Sequence, residues 1–148
     1  MQSTVLYTIG YEGRSLTDLR DAVTQWGIRT VVDVRENPCS HKRGFSGPAL
    51  ERYLGAIGVS YVHAGPLGSP KHLREQLKAT GDYEVFRAAC NEYFAQQESE
   101  SLAGVLSIIH QNSCALLCFE RQANQCHRSV LAALLCKMDH YLLNVRHI

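Results

Sequence analysis

The chain has 148 residues, 45% of them hydrophobic, and a formal net charge of +1. This is enough for one core and leaves no room for a second, so a single domain over residues 1–148 is expected. The near-neutral balance excludes a general attraction to polyanions, and any hold on nucleic acid must come from a local basic patch such as His41-Lys42-Arg43.

No apolar run approaches the ~18 residues of a membrane span. The start Met1-Gln2-Ser3-Thr4 enters a strand pattern without a basic leader, so a soluble, cytoplasmic protein with no membrane partner is expected. Six cysteines, Cys39, Cys90, Cys114, Cys118, Cys126 and Cys136, are spread over a full-sized core in the manner of reduced thiols.

In chain order, Thr4–Ile9 reads as an apolar strand closed by Gly10. Ser15-Leu16-Thr17-Asp18 is a capping box that opens a helix running to Trp26, with Gly27 as its stop. Thr30–Arg35 is a buried strand, Pro48–Ile57 a helix with proline near its first turn, and Val59–His63 a third strand. Helical spacing follows over Pro70–Lys78, Asp82–Gln97 and Leu102–Gln111. Cys114–Phe119 is the next strand, the helix from about Cys126 to Met138 is apolar on most of its surface, and Leu142–Arg146 closes the chain as a strand.

Strands separated by helices imply βαβ units. The expected fold is therefore α/β: a mostly parallel sheet with helices on both faces, a Rossmann-like three-layer sandwich. Parallel strands bring their carboxyl ends to one edge, which here gathers Tyr11 and Glu12, Asp33 and Arg35, His63, and Glu120.

Four motifs carry a resemblance. Thr8-Ile9-Gly10-Tyr11, Val32-Asp33-Val34-Arg35 with Pro38 and Ser40, Tyr61 and His63 with Leu67-Gly68, and Leu117-Cys118-Phe119-Glu120 before Cys126-His127-Arg128 resemble, in matching order, the domain of unknown function 488 family. The resemblance spans nearly the whole chain. It implies a compact α/β fold and assigns no activity. Two positions depart from the family's pattern: Gln122-Ala123-Asn124-Gln125 lacks the proline often found there, and Ser69 stands where a glycine is common.

Arg128 in the first turn of a helix opposes the helix dipole, which favours anions at that end. Two partners would remove the conflict: a substrate phosphate or carboxylate held with the helix N–H groups, or a salt bridge to Glu120 or Asp33. Arg35, on the strand face of Asp33, has the same two readings. Cys126 at a helix start, beside His127 and Arg128, sits in the setting of a reactive thiol. Against a covalent role, only His127 separates it from Arg128, which leaves no cradle of backbone amides; an orienting or structural cysteine is the alternative.

Cys118, Cys126 and His127, completed by His63 or Glu120, would make a zinc site. The spacing is poor, and Cys118 also reads as core. Glu120, a carboxylate at a strand end, is the expected proton-transfer group, with an ion pair to Arg121 or Arg128 as the other reading. Asp33 either assists it or orients Arg35. Phe45 beside the basic loop suits stacking on a base, or the loop is merely solvated.

The expected function is an enzyme, a hydrolase or transferase, that binds a phosphate-containing small molecule or nucleic acid. Glu120 and Asp33 would move protons, Cys126 and His127 would shape the pocket, and Arg35, Arg128, Tyr11, His63, Ser40 and Arg43 would bind substrate. Neither a cofactor nor a resident metal is expected. The alternatives are a non-catalytic nucleotide or nucleic-acid binding module and a zinc-dependent enzyme.

Overall fold

A computed structural model describes residues 4–148; residues 1–3, part of the stretch expected to lack a basic leader, lie outside the described residues. The chain runs β1 (Thr4–Gly10), α1 (Leu16–Gln25), β2 (Thr30–Asp33), α2 (Gly47–Gly55), β3 (Ser60–His63), α3 (Lys71–Thr80), α4 (Tyr83–Gln97), α5 (Ser99–Gln111), β4 (Cys114–Cys118), α6 (Arg128–Met138) and β5 (Leu143–His147). Short 3-10 turns occupy Gly65–Leu67 and Ala123–Gln125. The five strands form one all-parallel sheet in the order β3-β2-β4-β1-β5.

Side-chain alternation along the strands sorts the core into two layers. In β4, Ala115 and Leu117 face one side with Ile9, Val31, and Leu19 and Val23 of α1 and Leu50 and Leu54 of α2. Cys114, Leu116 and Cys118 face the other with Leu6, Val32 and the apolar sides of α3 to α6. β2 and β4 are buried along their whole length, which is why both read as continuous apolar runs. The α/β sandwich with helices on both faces is thus present. No helix among the described residues is long and apolar enough to cross a membrane.

Local chemistry sets the element ends. Ser15 Oγ accepts from Asp18 N–H at 3.0 Å while Asp18 Oδ2 accepts from Ser15 N–H at 2.8 Å, the reciprocal cap that opens α1. The expected helix from Cys126 starts two residues later: Cys126 is extended, at φ −141° and ψ 152°, and His127 is the N-cap of α6. The cause is the Ala123–Gln125 turn, which ends on the Cys126 N–H and delays helical geometry.

The order β3-β2-β4-β1-β5 places a crevice. β1 and β2 continue into α1 and α2 on one face, whereas β4, lying between them, continues into α6 on the other. Neighbouring strands whose connections diverge leave an opening beyond their carboxyl ends. Backbone pairing persists past the strand ends there, with Tyr11 N–H on Cys118 O at 3.1 Å and Glu12 N–H on Phe119 O at 2.8 Å.

Gly10 makes that approach possible. A Cβ at this position would lie 1.8 Å from the Glu120 carbonyl oxygen, so only glycine lets the β4–α6 loop pass over β1. Gly10→Ala should therefore lower stability by about 2–3 kcal/mol, read as a fall in the urea midpoint at unchanged slope.

Candidate functional site

The crevice holds a cleft of about 440 Å³. Tyr11 after β1, Arg35 and the loop from Cys39 to Lys42 after β2, Phe119 and Glu120 after β4, and His127 before α6 contribute to its wall, together with Ser69 and Arg74. A second cavity of about 410 Å³ adjoins it, bounded by Leu77, Tyr83, Phe86 and Cys126. The two share Ser69, Arg74, Glu120 and His127.

Of the residues expected to bind or react, Tyr11, Arg35, Ser40, Glu120 and His127 line the main cleft, and Cys126 lines the second. Asp33, His63, Arg43 and Arg128 line neither. Asp33, expected to assist proton transfer, has no exposure and both oxygens engaged. Oδ1 accepts from Arg35 Nε at 2.8 Å and from the Arg35 backbone N–H at 3.1 Å. Oδ2 accepts from Arg35 Nη2 and from the Tyr61 hydroxyl, each at 2.6 Å. It orients Arg35, the second of its two sequence readings.

Arg35 is satisfied from within. Its Nη1 donates to Tyr11 Oη at 3.1 Å and to the Phe45 carbonyl at 2.8 Å. Burial pulls its pKa down, yet the paired carboxylate of Asp33 outweighs this and carries it above the usual value. The same burial and bond to Asp33 raise the Tyr61 hydroxyl. This clamp ties β2, β3 and the Pro38–Phe45 loop together. Substrate binding by the whole Arg35 fork is therefore corrected, because four of its five donors have protein acceptors.

Arg128 is also turned inward. It is fully buried, and its Nε donates to Thr8 Oγ1 at 3.2 Å, Nη1 to the Glu120 carbonyl and to Cys118 Sγ at 3.0 Å, and Nη2 to the Arg121 carbonyl at 2.9 Å. The salt-bridge reading of Arg128 is not borne out among the described residues, and the unexposed guanidinium is turned from the cleft onto the carbonyls of the loop that carries Glu120. At the start of α6 the Arg128 N–H donates to Cys126 Sγ at 3.4 Å. Burial lowers the Arg128 pKa to about 10, which leaves it charged at neutral pH.

His63 is exposed and its Nε2–H donates to the Arg35 carbonyl at 2.9 Å, outside the cleft. Arg43 is exposed on the basic loop. Phe45, expected to stack on a base, is only 1% exposed, packed on the Tyr11 ring at 4.8 Å with Lys42 Nζ above it. The available ring is Phe119, 45% exposed at the cleft and edge-on to Tyr11 at 5.4 Å. Sequence reasoning passed over it as a strand end. Arg74 was missed as well, because α3 carries no motif. Its Nη1 donates to the Ser69 carbonyl and its Nη2 lies 3.0 Å from Glu36 Oε1. Lys42 adds a third cation at the wall, donating to the Tyr11 carbonyl at 3.3 Å.

Glu120 is half-buried in the wall common to both cavities. Burial pushes its carboxyl above the ordinary range, nearby Glu12 adds to this, and Arg128 opposes it. No salt bridge among the described residues includes it, so its expected ion pair with Arg121 or Arg128 is absent.

The expectation of reduced cysteines is corrected at one pair, while Cys39, Cys90, Cys114 and Cys136 are free. The sulfurs of Cys118 and Cys126 are in disulfide contact, with Cα atoms 7.7 Å apart. Their sulfurs and a Glu120 carboxylate oxygen lie within 4.8 Å of one another, the grouping of metal-type donors among the described residues. In the structure the two sulfurs face each other, and the Arg128 guanidinium donates to Cys118 Sγ. His63, proposed to complete a zinc set, is not in that group, and its Nε2 lies on the Arg35 carbonyl.

His127 is buried at the cleft floor. Its Nε2–H donates to the Val34 carbonyl at 2.6 Å, and Nδ1 lies 3.5 Å from Cys126 Sγ. Burial, aided by Arg128 and opposed by the Val34 bond, lowers its pKa to about 4. Between pH 6.5 and 4 the unfolded chain binds a proton that the fold refuses, so stability falls as pH falls through that window. The gap corresponds to about 3 kcal/mol. Urea titrations at pH 7, 5.5 and 4.5 should show the loss, and His127→Gln should flatten the slope.

Residues 15–135 match the family described as Domain of unknown function DUF488. Neither the curated proteins nor the solved structures provide a match. The motifs from Asp33 and Arg35 to the Cys126-His127-Arg128 helix start fall inside the matched span, which leaves out Tyr11, and the chain belongs to the DUF488 family.

Proposed function

We propose that the protein is an enzyme that admits a phosphate-containing substrate, a nucleotide or a nucleic-acid terminus, and acts on it by acid–base hydrolysis or group transfer. The observation that carries this reading is Glu120: a carboxyl group without an ion-pair partner among the described residues, set in the wall of a cleft at the sheet's carboxyl edge, with its protonated form favoured by burial. In this role it gives a proton to a leaving oxygen or takes one from an attacking water.

The anion is held by Arg74 and Lys42, with His41 at the same wall. Their protein partners are a surface carboxylate and backbone carbonyls, which a phosphate can outcompete by charge-assisted bonds. The exposed Phe119 ring supplies a flat apolar face for a base. A volume of about 440 Å³ suits a mononucleotide-sized ligand.

Thermal-shift measurements against nucleoside mono-, di- and triphosphates, phosphorylated metabolites and short oligonucleotides identify the ligand, since one at about 100 times its Kd adds about 2.7 kcal/mol. Arg74→Ala should weaken that ligand about tenfold. Glu120→Gln should keep the shift and lose turnover by at least about a hundredfold. Normal turnover by Glu120→Gln contradicts the assignment, and a ligand that binds but is never consumed makes the protein a binding module.

A further inference from the structure

Behind the cleft, β4 and α6 enclose a charge that the chemistry above does not use. Arg128 has no exposure, yet no carboxylate lies within salt-bridge distance of it among the described residues. Three of its acceptors, Thr8 Oγ1 and the carbonyls of Glu120 and Arg121, are neutral dipoles. The fourth, Cys118 Sγ at 3.0 Å, is the one that can carry a full negative charge. A buried guanidinium is stabilised most by a counter-charge in direct contact, and Cys118 would supply one as a thiolate once the pair is reduced.

The second sulfur has complementary surroundings. His127 Nε2–H is fixed on the Val34 carbonyl, so Nδ1 carries a lone pair 3.5 Å from Cys126 Sγ, placed to accept an S–H from Cys126 once the pair is reduced. The two sulfurs thus have different side-chain partners, the Arg128 guanidinium at Cys118 and the His127 imidazole at Cys126, where the Arg128 backbone N–H also donates at 3.4 Å, and they face each other in disulfide contact. A disulfide, which is neutral, needs neither partner. Cys118 lines the main cleft and Cys126 the adjoining one, so both are reached from cavities although each is 1% exposed.

We propose that Cys118 and Cys126 form a thiol–disulfide exchange site, with Cys118, held by Arg128, as the attacking sulfur and Cys126 as the resolving one. The co-reactant is a small disulfide of the glutathione class entering through the cleft. Cys118 thiolate attacks one sulfur of the small disulfide; a new S–S bond forms, the old one breaks, and the first small thiolate departs. The Cys126 sulfur then attacks Cys118, displacing the second, and the Cys126 proton leaves with the departing thiolate. The protein pair, one thiolate and one thiol, is oxidised by two electrons to the disulfide, and the small disulfide is reduced to one thiolate and one thiol.

The test needs no substrate of the cleft, so its outcome is independent of the function proposed above. The intact chain is equilibrated without oxygen in glutathione buffers of graded ratio, acid-quenched, alkylated and mapped by peptide mass. Cys118 and Cys126 should lose alkylation together and reversibly with one midpoint, whereas Cys39, Cys90, Cys114 and Cys136 do not follow it. Cys126→Ser should accumulate a glutathione mixed disulfide on Cys118, about tenfold more than Cys118→Ser accumulates on Cys126. The proposal is overturned if the pair ignores the glutathione ratio, if the mixed disulfide is trapped on Cys126 instead, or if the purified chain holds a stoichiometric divalent metal that both Ser variants lose.

Discussion

The β4–α6 connection depends on one buried guanidinium. Residues 119–127 must leave the central strand, pass over β1 at Gly10 and turn back into α6, and this path exposes carbonyls inside the molecule with no strand or helix to pair them. Arg128 resolves this by reaching back from the first turn of α6 to the carbonyls of Glu120 and Arg121 and across to Thr8 on β1. Thr8 Oγ1 in turn shares a hydrogen bond of 2.5 Å with His147 Nδ1 on β5. A single side chain therefore joins β1, β4, α6 and β5 at the edge where the cleft opens.

The two arginines of the cleft region share a logic. Arg35 fastens the Pro38–Phe45 loop to β2 through Asp33, Tyr11 and the Phe45 carbonyl, and Arg128 fastens the opposite loop. Both are internal rivets whose donors are satisfied by protein groups, so the cleft walls are rigid on two sides. The groups left facing the cavity are those on the rim: Glu120, Phe119, Lys42 and Arg74. Fixed walls with a few projecting polar groups are the arrangement that positions a small ligand at low entropic cost.

The fold was legible because β2 and β4 are apolar throughout, the capping box of Ser15 and Asp18 marks α1, and alternation of strands with helical spacing admits few topologies. The gathering of Tyr11, Arg35 and Glu120 at one edge also followed from parallel strands. What the residues could not disclose was where each charge points. The conflict between Arg128 and the helix dipole was visible, but its resolution by carbonyls depends on the course of an irregular loop. The Cys118–Cys126 contact rests on the same loop. Arg74 enters the cleft because α3 ends its first turn beside Ser69, a consequence of tertiary packing that leaves no trace in local spacing. Phe45 and Phe119 exchanged their expected places because the former loop folds inward under Lys42.

The central claim is that Arg128 holds the Glu120 loop in place from beneath. Amide hydrogen exchange of Arg128→Leu against the unmodified chain tests it most directly. The account predicts about tenfold or greater acceleration at residues 119–125, with protection in β2 and the core of β4 retained. Unchanged protection of that loop in a folded Arg128→Leu chain would contradict it.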